Sequence, residues 1–82
     1  MFVRLEKINP AERQRRFYVM NVAQTLFGEW CLIREWGRIG TAGGQKMVDY
    51  MNTQEEAEAV LNKLSAQKCR RGYHAREMHH AT

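Results

Sequence analysis

The chain has 82 residues, 44% of them hydrophobic and 27% charged, and it carries a formal net charge of +4. Such a length allows one domain with a modest core, and such a composition argues against disorder throughout. We therefore predict a single domain over residues 1–82, with a core at about 2–73 and a flexible tail at 74–82, where no periodicity is found. The basic charge is compatible with an anionic partner.

The sequence does not favour export or membrane insertion. No apolar run approaches the roughly 18 residues that a membrane span needs, and the first residues lack the long apolar core of a secretory signal. Cys31 and Cys69 are too few for a disulfide framework. We expect an intracellular, cytoplasmic protein (nucleoid or nucleus, depending on its source) with reduced cysteines and no membrane partner.

Two strands are predicted in the first third of the chain. Residues Phe2–Ile8 mix β-forming residues with charges, which is typical of a strand at the edge of a sheet. A turn at Asn9–Glu12 follows, because Pro10 fixes its own backbone and restricts the residue before it. Residues Arg16–Ala23 are largely apolar on both faces, which predicts a central strand.

A hairpin connection and two further strands come next. Residues 25–28 form the connection, which is closed by a glycine. Its tip, Leu26 and Phe27, has two interpretations of equal weight: it folds back onto the core, or it makes an exposed contact. Strands are then predicted at Glu29–Trp36 and Gln45–Met51. Four strands with short connections are typical of an antiparallel meander.

One helix is predicted from Thr53 to about Lys68. Thr53 can cap its N-terminus, and Glu56 three residues later completes a capping box. Four apolar residues fall on one stripe at helical spacing: Ala57, Val60, Leu61 and Leu64. The apolar face of the sheet is the evident partner of this stripe, and Gly72 is a stop. The predicted fold is therefore α+β: an antiparallel β-sheet of about four strands with one long α-helix packed across one face.

The chain centres on Trp36, Gly37 and Arg38, at the end of the third predicted strand. Trp36 and Arg38 are two residues apart, so they project from the same face if the strand continues. An indole beside a guanidinium suits a flat ring with an attached phosphate, which is what a nucleic-acid strand offers. The alternative is a core tryptophan next to a solvated arginine.

Basic residues concentrate in two clusters, one ahead of the second strand and one after the helix. Their members are Arg13, Arg15 and Arg16 in the first, and Lys68, Arg70, Arg71 and Arg76 in the second. A single charge run is usually a solvated surface, but two clusters flanking a mixed chain favour a nucleic-acid partner.

These features together resemble the WGR domain, a family named for its Trp-Gly-Arg motif and best known from the DNA-dependent poly(ADP-ribose) polymerases. The resemblance covers about residues 15–74. It rests on Arg16-Phe17-Tyr18, Trp36-Gly37-Arg38-Ile39-Gly40-Thr41, Gly43-Gly44, the capped helix, Lys68 and Gly72-Tyr73. It implies contact with DNA near strand breaks and contact with neighbouring domains. It does not imply ADP-ribosylation, which belongs to a separate and larger catalytic domain of the polymerases.

The resemblance also implies roles for single residues. Trp36 matches the motif tryptophan, which packs against the sugar at a DNA end in the polymerases, and Arg38 matches the motif arginine, which serves DNA or inter-domain contacts there. Lys68 and Tyr73 fall where the family has a lysine and an aromatic residue. The alternatives are surface charge for Lys68 and a cover over the helix end for Tyr73. Arg34 is added because it shares the strand face of Trp36.

No catalytic or metal site is predicted. Cys31 is interpreted as a buried strand residue, and no histidine lies near either cysteine in the sequence. Four residues that can bind zinc have a spacing that fits no common site: Cys69, His74, His79 and His80. We therefore expect no enzyme activity, no cofactor and no small-molecule substrate.

The sequence thus predicts a stand-alone module that binds nucleic acid, expected to be DNA, independently of its sequence and with ends or nicks as the candidate preference. The alternative is a protein-interaction module that presents the Trp-Gly-Arg face to another protein. The candidate nucleic-acid-binding residues are Trp36, Gly37, Arg38, Arg34, Arg16, Lys68, Arg70 and Tyr73.

Overall fold

A computed structural model of the chain describes residues 1–79. Its elements, in chain order, are β1 (Phe2–Asn9), a short 3-10 turn (Pro10–Glu12), β2 (Gln14–Gln24), β3 (Trp30–Arg38), β4 (Gln45–Met51), α1 (Gln54–Arg70) and β5 (His74–His79). The strands form one antiparallel sheet in the order β4-β3-β2-β1-β5, and α1 packs across one of its faces. The predicted α+β class is confirmed, with five strands in place of about four.

The fifth strand corrects two predictions. β5 pairs with β1 from Phe2↔His79 to Glu6↔His74, so β1 is an inner strand and not an edge. The same pairing shows that the prediction of a flexible tail was wrong for residues 74–79, whereas residues 80–82 lie outside the described part of the chain. The strand escaped prediction because every one of its residues is exposed. A strand that buries no side chain leaves no alternation of apolar and polar residues in the sequence.

The core lies between α1 and the sheet, and β2 runs through its centre as predicted. The buried apolar side chains of this core are Val3, Leu5, Tyr18, Met20, Val22, Leu32, Ala57 and Leu61. Thr53 caps α1, because its side-chain oxygen accepts a hydrogen bond from the Glu56 amide at 3.1 Å. Gly72, with φ of 99°, turns the chain away after the helix. The apolar stripe therefore meets the sheet face that the sequence assigned to it.

The strand carrying the Trp-Gly-Arg motif continues through Gly37 and Arg38, and the chain reverses only in residues 39–44. Gly40 and Gly43 adopt left-handed backbone conformations in this reversal, with φ of 85° and 80°. A Cβ on Gly44 would stand 2.6 Å from the carbonyl oxygen of Trp36, so only glycine fits there. The reversal thus lets β4 start close beside the motif without ending the motif strand early.

The sheet has two distinct ends. One end, here called the hairpin end, carries the connection between β2 and β3, and the other, the motif end, carries Arg38. Since α1 follows the last residue of β4, it starts at the hairpin end and finishes at the motif end. The hairpin residues Leu26 and Phe27 are exposed, so the tip does not fold back onto the core, and an exposed contact there stays a prediction.

Candidate nucleic-acid interface

A cleft of about 400 Å³ opens at the motif end of the sheet, on the face that α1 covers. The residues that line this motif cleft are Arg16, Tyr18, Trp36, Gly37, Arg38, Lys68 and Tyr73. Three of them are basic, three are aromatic and one is a glycine, and no carboxylate belongs to this described set. A cleft of this size and lining suits a ligand with negative charge and a flat or apolar part.

The strand register explains why these side chains meet. Tyr18 of β2 pairs with Trp36 of β3, and Arg16 pairs with Arg38. Alternate residues of a strand share one face, so the two pairs form two successive rows below the end of α1. The last turn of α1 then supplies Lys68, whose ammonium nitrogen stands 4.5 Å from the centre of the Tyr18 ring.

The two aromatic rings of the inner row are stacked. The ring centroids of Tyr18 and Trp36 lie 5.5 Å apart with an interplanar angle of 13°. Tyr18 is buried, whereas Trp36 is half-buried. One ring face of Trp36 therefore packs on Tyr18 of the core, and the side chain also lines the motif cleft, while its role in binding stays a prediction.

Lys68 is a cation in aromatic surroundings. Its ammonium nitrogen also lies 5.7 Å from the centre of the Tyr73 ring, and within residues 1–79 it forms no ion pair. Partial burial lowers the pKa of Lys68, and repulsion by Arg71 and Arg34 lowers it further. In the described residues the Lys68 ammonium thus has aromatic neighbours but no carboxylate partner, and an anion in the cleft would supply the missing negative charge.

A row of three cations crosses the sheet at the motif end. Lys7 of β1 pairs with Arg16, and Arg16 pairs with Arg38, so the three are neighbours on consecutive strands. Adjacent strands are about 4.8 Å apart, so this cationic row spans about 10 Å. The stem of Lys7 packs on Gly72, since a Cβ on that glycine would stand 3.3 Å from the Lys7 Cε. Among the described residues none of the three forms an ion pair.

Two predicted site residues lie outside the motif cleft. Arg34 does share the strand face of Trp36, but its guanidinium makes a 2.8 Å ion pair with Asp49 and a hydrogen bond to the Tyr18 hydroxyl. Burial lowers the pKa of Arg34, but the hydrogen bond to Tyr18 and the charge of Asp49 outweigh it, so the pKa is raised. Arg70 is exposed in the last turn of α1. A direct role for either in binding stays a prediction.

The glycine of the motif is explained by packing on the opposite face of the sheet. A Cβ on Gly37 would stand 3.3 Å from Gly44 Cα and 3.3 Å from the Phe17 ring. The backbone of Gly37 lines the motif cleft. A side chain at this position would be crowded by the Phe17 ring, which packs against it on the opposite face.

The sequence predicted six of the seven residues that line the cleft and missed the seventh, Tyr18. It also missed Lys7, which lies next to the cleft residue Arg16. Tyr18 was named only as part of the second strand, and its pairing with Trp36 in the sheet places it in the cleft. Lys7 belongs to neither basic cluster in the sequence and becomes a neighbour of Arg16 through the pairing of β1 with β2. Conversely, Arg76 of the second cluster does not line the motif cleft, and its guanidinium forms a 3.3 Å ion pair with Glu6.

Comparison with known proteins places the chain in a family. The WGR domain family matches residues 1–80, and the chain therefore belongs to the WGR domain family. It is also 42% identical, over 72 residues, to the uncharacterized protein y4dW of Sinorhizobium fredii (strain NBRC 101917 / NGR234). That match covers 88% of this chain and 35% of the relative, so the chain spans about a third of the relative's length. No solved structure matches.

Neither a metal-binding cluster nor a membrane-spanning helix is found among the described residues. Residues 1–79 contain no group of three or more histidine, cysteine or acidic side chains placed to hold a metal ion, and His80 of the zinc set considered above lies outside them. In the same part of the chain, α1 lacks the length and apolar run needed to cross a membrane.

Proposed function

We propose that the protein is a DNA-binding module that uses the motif cleft, independently of base sequence, and that it selects DNA ends or nicks. The observation that carries this proposal is the composition of the cleft, with three cations around three aromatic rings and no carboxylate among its described lining residues. Membership of the WGR family supports a nucleic-acid-binding role in the same direction. The protein is on this account a binding module and not an enzyme.

The cations are assigned to phosphates. Arg16 and Arg38 face each other at the mouth of the site without carboxylate partners in the described chain. Guanidinium groups bind phosphate oxygens in a bidentate manner, and Lys68 adds a point charge deeper in the cleft. Lys7 extends the cationic row by about 5 Å, so a second phosphate of the same strand can be neutralised.

The aromatic residues are assigned to the sugar or base. Trp36 and Tyr73 line the cleft and are half-buried, so each keeps some accessible ring surface. Stacking of a nucleotide on such surfaces is tolerant of base identity. A continuous duplex conceals its sugar and base faces within the stack, whereas an end or a nick displays them.

Sequence recognition is not expected. α1 turns its apolar stripe to the sheet, with Ala57 and Leu61 fully buried, so it cannot enter a major groove as a recognition helix on that face. Phosphate contacts position a protein on DNA but carry no base information. Selectivity must therefore come from the structure of the DNA.

The test is a salt titration of binding to a short open-ended duplex. Neutralising about three to five phosphates predicts that log affinity falls against log salt with a slope of about −3 to −4.5. Arg38→Gln is expected to weaken binding and make the slope shallower by about one unit, while Lys63→Gln, an exposed helix lysine outside the cleft, leaves both unchanged. Absence of binding even at low salt would remove the proposal.

A second candidate function is protein recognition by the same face. A half-buried tryptophan beside an exposed arginine has the composition of an interface hot spot. If the protein fails to bind DNA at low salt, yet Trp36→Ala abolishes a complex with a defined protein, this second function replaces the first.

A further inference from the structure

Leu26 and Phe27, here called the hairpin tip, are the most exposed large apolar residues of the described chain. Their relative exposures are 102% and 91%, so neither side chain packs on the protein's own core. Contiguous exposed apolar surface marks interaction sites, whereas single scattered apolar residues do not. The hairpin tip is not part of the motif cleft and lies at the opposite end of the sheet.

The turn that carries the hairpin tip is firmly built. The Thr25 side-chain oxygen accepts hydrogen bonds from the amides of Phe27 and Glu29, each at 3.2 Å. The Gly28 amide donates to the Thr25 carbonyl at 3.0 Å, and Gly28 takes a φ of 85°. A turn fixed in this way presents its two side chains at little further cost in conformational entropy when they are bound.

Charge is segregated along the long axis of the molecule. Four glutamates lie at the hairpin end: Glu29 beside the tip, and Glu55, Glu56 and Glu58 in the first turns of α1. None of the four forms an ion pair within residues 1–79. The motif end carries the cationic row and Lys68. One end of the protein is therefore acidic with an apolar projection, and the other is basic with an aromatic cleft.

We propose that the hairpin tip of one copy docks into the motif cleft of a second copy, giving head-to-tail association. The cleft volume of about 400 Å³ lies within the range of pockets that hold small molecules, and its aromatic residues suit the side chain of Phe27 or Leu26. Glu29 beside the tip then meets the cations that rim the cleft, so apolar and charged parts match together. The contact is heterologous, so a dimer keeps one free cleft on one copy and one free tip on the other, and further copies can add at both ends.

The same cleft is the proposed DNA site, so DNA and the second copy compete. The contact area of a single hairpin tip is well below the about 1,000 Å² of a stable interface, and we expect weak association, with a Kd of about 0.1–1 mM. The acidic charge of the hairpin end also disfavours two other binding partners for the hairpin tip, namely DNA and a membrane rich in anionic lipid, because like charges repel.

The experiment is a complementation by two variants in sedimentation velocity at up to about 1 mM protein, a concentration set by the expected Kd. Leu26→Ser/Phe27→Ser removes the tip and keeps the cleft, whereas Arg38→Glu spoils the cleft and keeps the tip. Each variant alone is expected to stay monomeric, and an equal mixture is expected to form a 1:1 dimer. The wild type is expected to form longer species that a short DNA duplex dissociates.

Several results would overturn the proposal. The wild type remaining monomeric, the tip variant still associating alone, or the mixture staying monomeric each removes it. Flotation of the monomeric wild type with anionic vesicles would reassign the tip to a membrane. Equal thermal melting of the tip variant and the wild type is expected, because the tip touches no core residue. The complementation can fail while DNA binding holds, or succeed without it, so the two proposals are separable.

Discussion

Arg16 of β2 and Arg38 of β3 lie directly opposite each other across the antiparallel sheet, on the face that forms the motif cleft. Like charges in such a cross-strand pair destabilise a sheet. In the described chain no carboxylate offsets the repulsion at either residue. A protein that tolerates this arrangement gains a site in which an anion relieves the repulsion.

The first prediction follows from this pair. Arg16→Gln is expected to raise the free energy of unfolding slightly, by about 0.2–1 kcal/mol, because it removes cross-strand repulsion. The same substitution is expected to weaken DNA binding. Urea unfolding and a DNA titration on one preparation measure both effects. A variant that loses stability and binding together would show that Arg16 supports the fold and that the repulsion is unimportant.

The second prediction separates core from site. Leu61 is fully buried in the core, so Leu61→Ala is expected to cost about 2–5 kcal/mol of stability. Trp36 is half-buried, and Trp36→Ala is expected to cost less stability than Leu61→Ala while DNA binding falls sharply; the lost stacking on Tyr18 contributes about 0.5–1.5 kcal/mol beside the lost burial. Thermal melts of both variants decide the matter. Equal losses of stability in the two variants would show that Trp36 acts mainly as a core residue and not as a binding residue.

The third prediction concerns Lys7, which only the strand register connects to the site. Lys7→Gln is expected to lower affinity alike for open and closed DNA, and to make the salt slope shallower by about one unit, because one phosphate contact is lost. Lys63→Gln removes the same charge from an exposed position on α1 and serves as the control. If Lys7→Gln and Lys63→Gln show the same affinity and the same salt slope, Lys7 does not contact DNA and the binding site is limited to the motif cleft.

The fourth prediction is a pH dependence with opposite signs for binding and stability. The pKa of Lys68 is lowered from its ordinary 10.5 by burial and by neighbouring cations. As pH rises through this lowered pKa, the cleft loses a cation, so DNA affinity is expected to fall at a lower pH than it would for an ordinary lysine. The folded state binds fewer protons than the unfolded state in that window, so the contribution of Lys68 to stability rises there.

Lys68→Arg provides the control, because an arginine stays charged throughout the alkaline range. Its DNA affinity is expected to show no loss in the window where the wild type declines. The same decline in both proteins would assign the pH dependence to other groups.

The sequence predicted those parts of the fold that depend on side-chain pattern. The cap at Thr53, the buried position of Leu61 and the central place of β2 all follow from local residue types and spacing. β5 did not, because a fully exposed strand carries no apolar alternation.

The site shows the same division. Trp36 and Arg38 could be placed from the sequence, since both belong to one strand. The pairing of Arg34 with Asp49 and the alignment of Lys7 with Arg16 depend on contacts between different strands. Register of this kind is set by the apolar patterns of two strands together and by the turn between them, so neither strand alone reveals it.

The most direct test of the central claim compares DNA binding to a nicked or open-ended duplex with binding to a covalently closed dumbbell of the same sequence, at two salt concentrations. We predict that the wild type prefers the open form, that Trp36→Ala loses this preference, and that Arg70→Ala, outside the motif cleft, weakens both forms alike. Equal binding of the wild type to open and closed DNA would contradict the recognition of ends and nicks by the motif cleft.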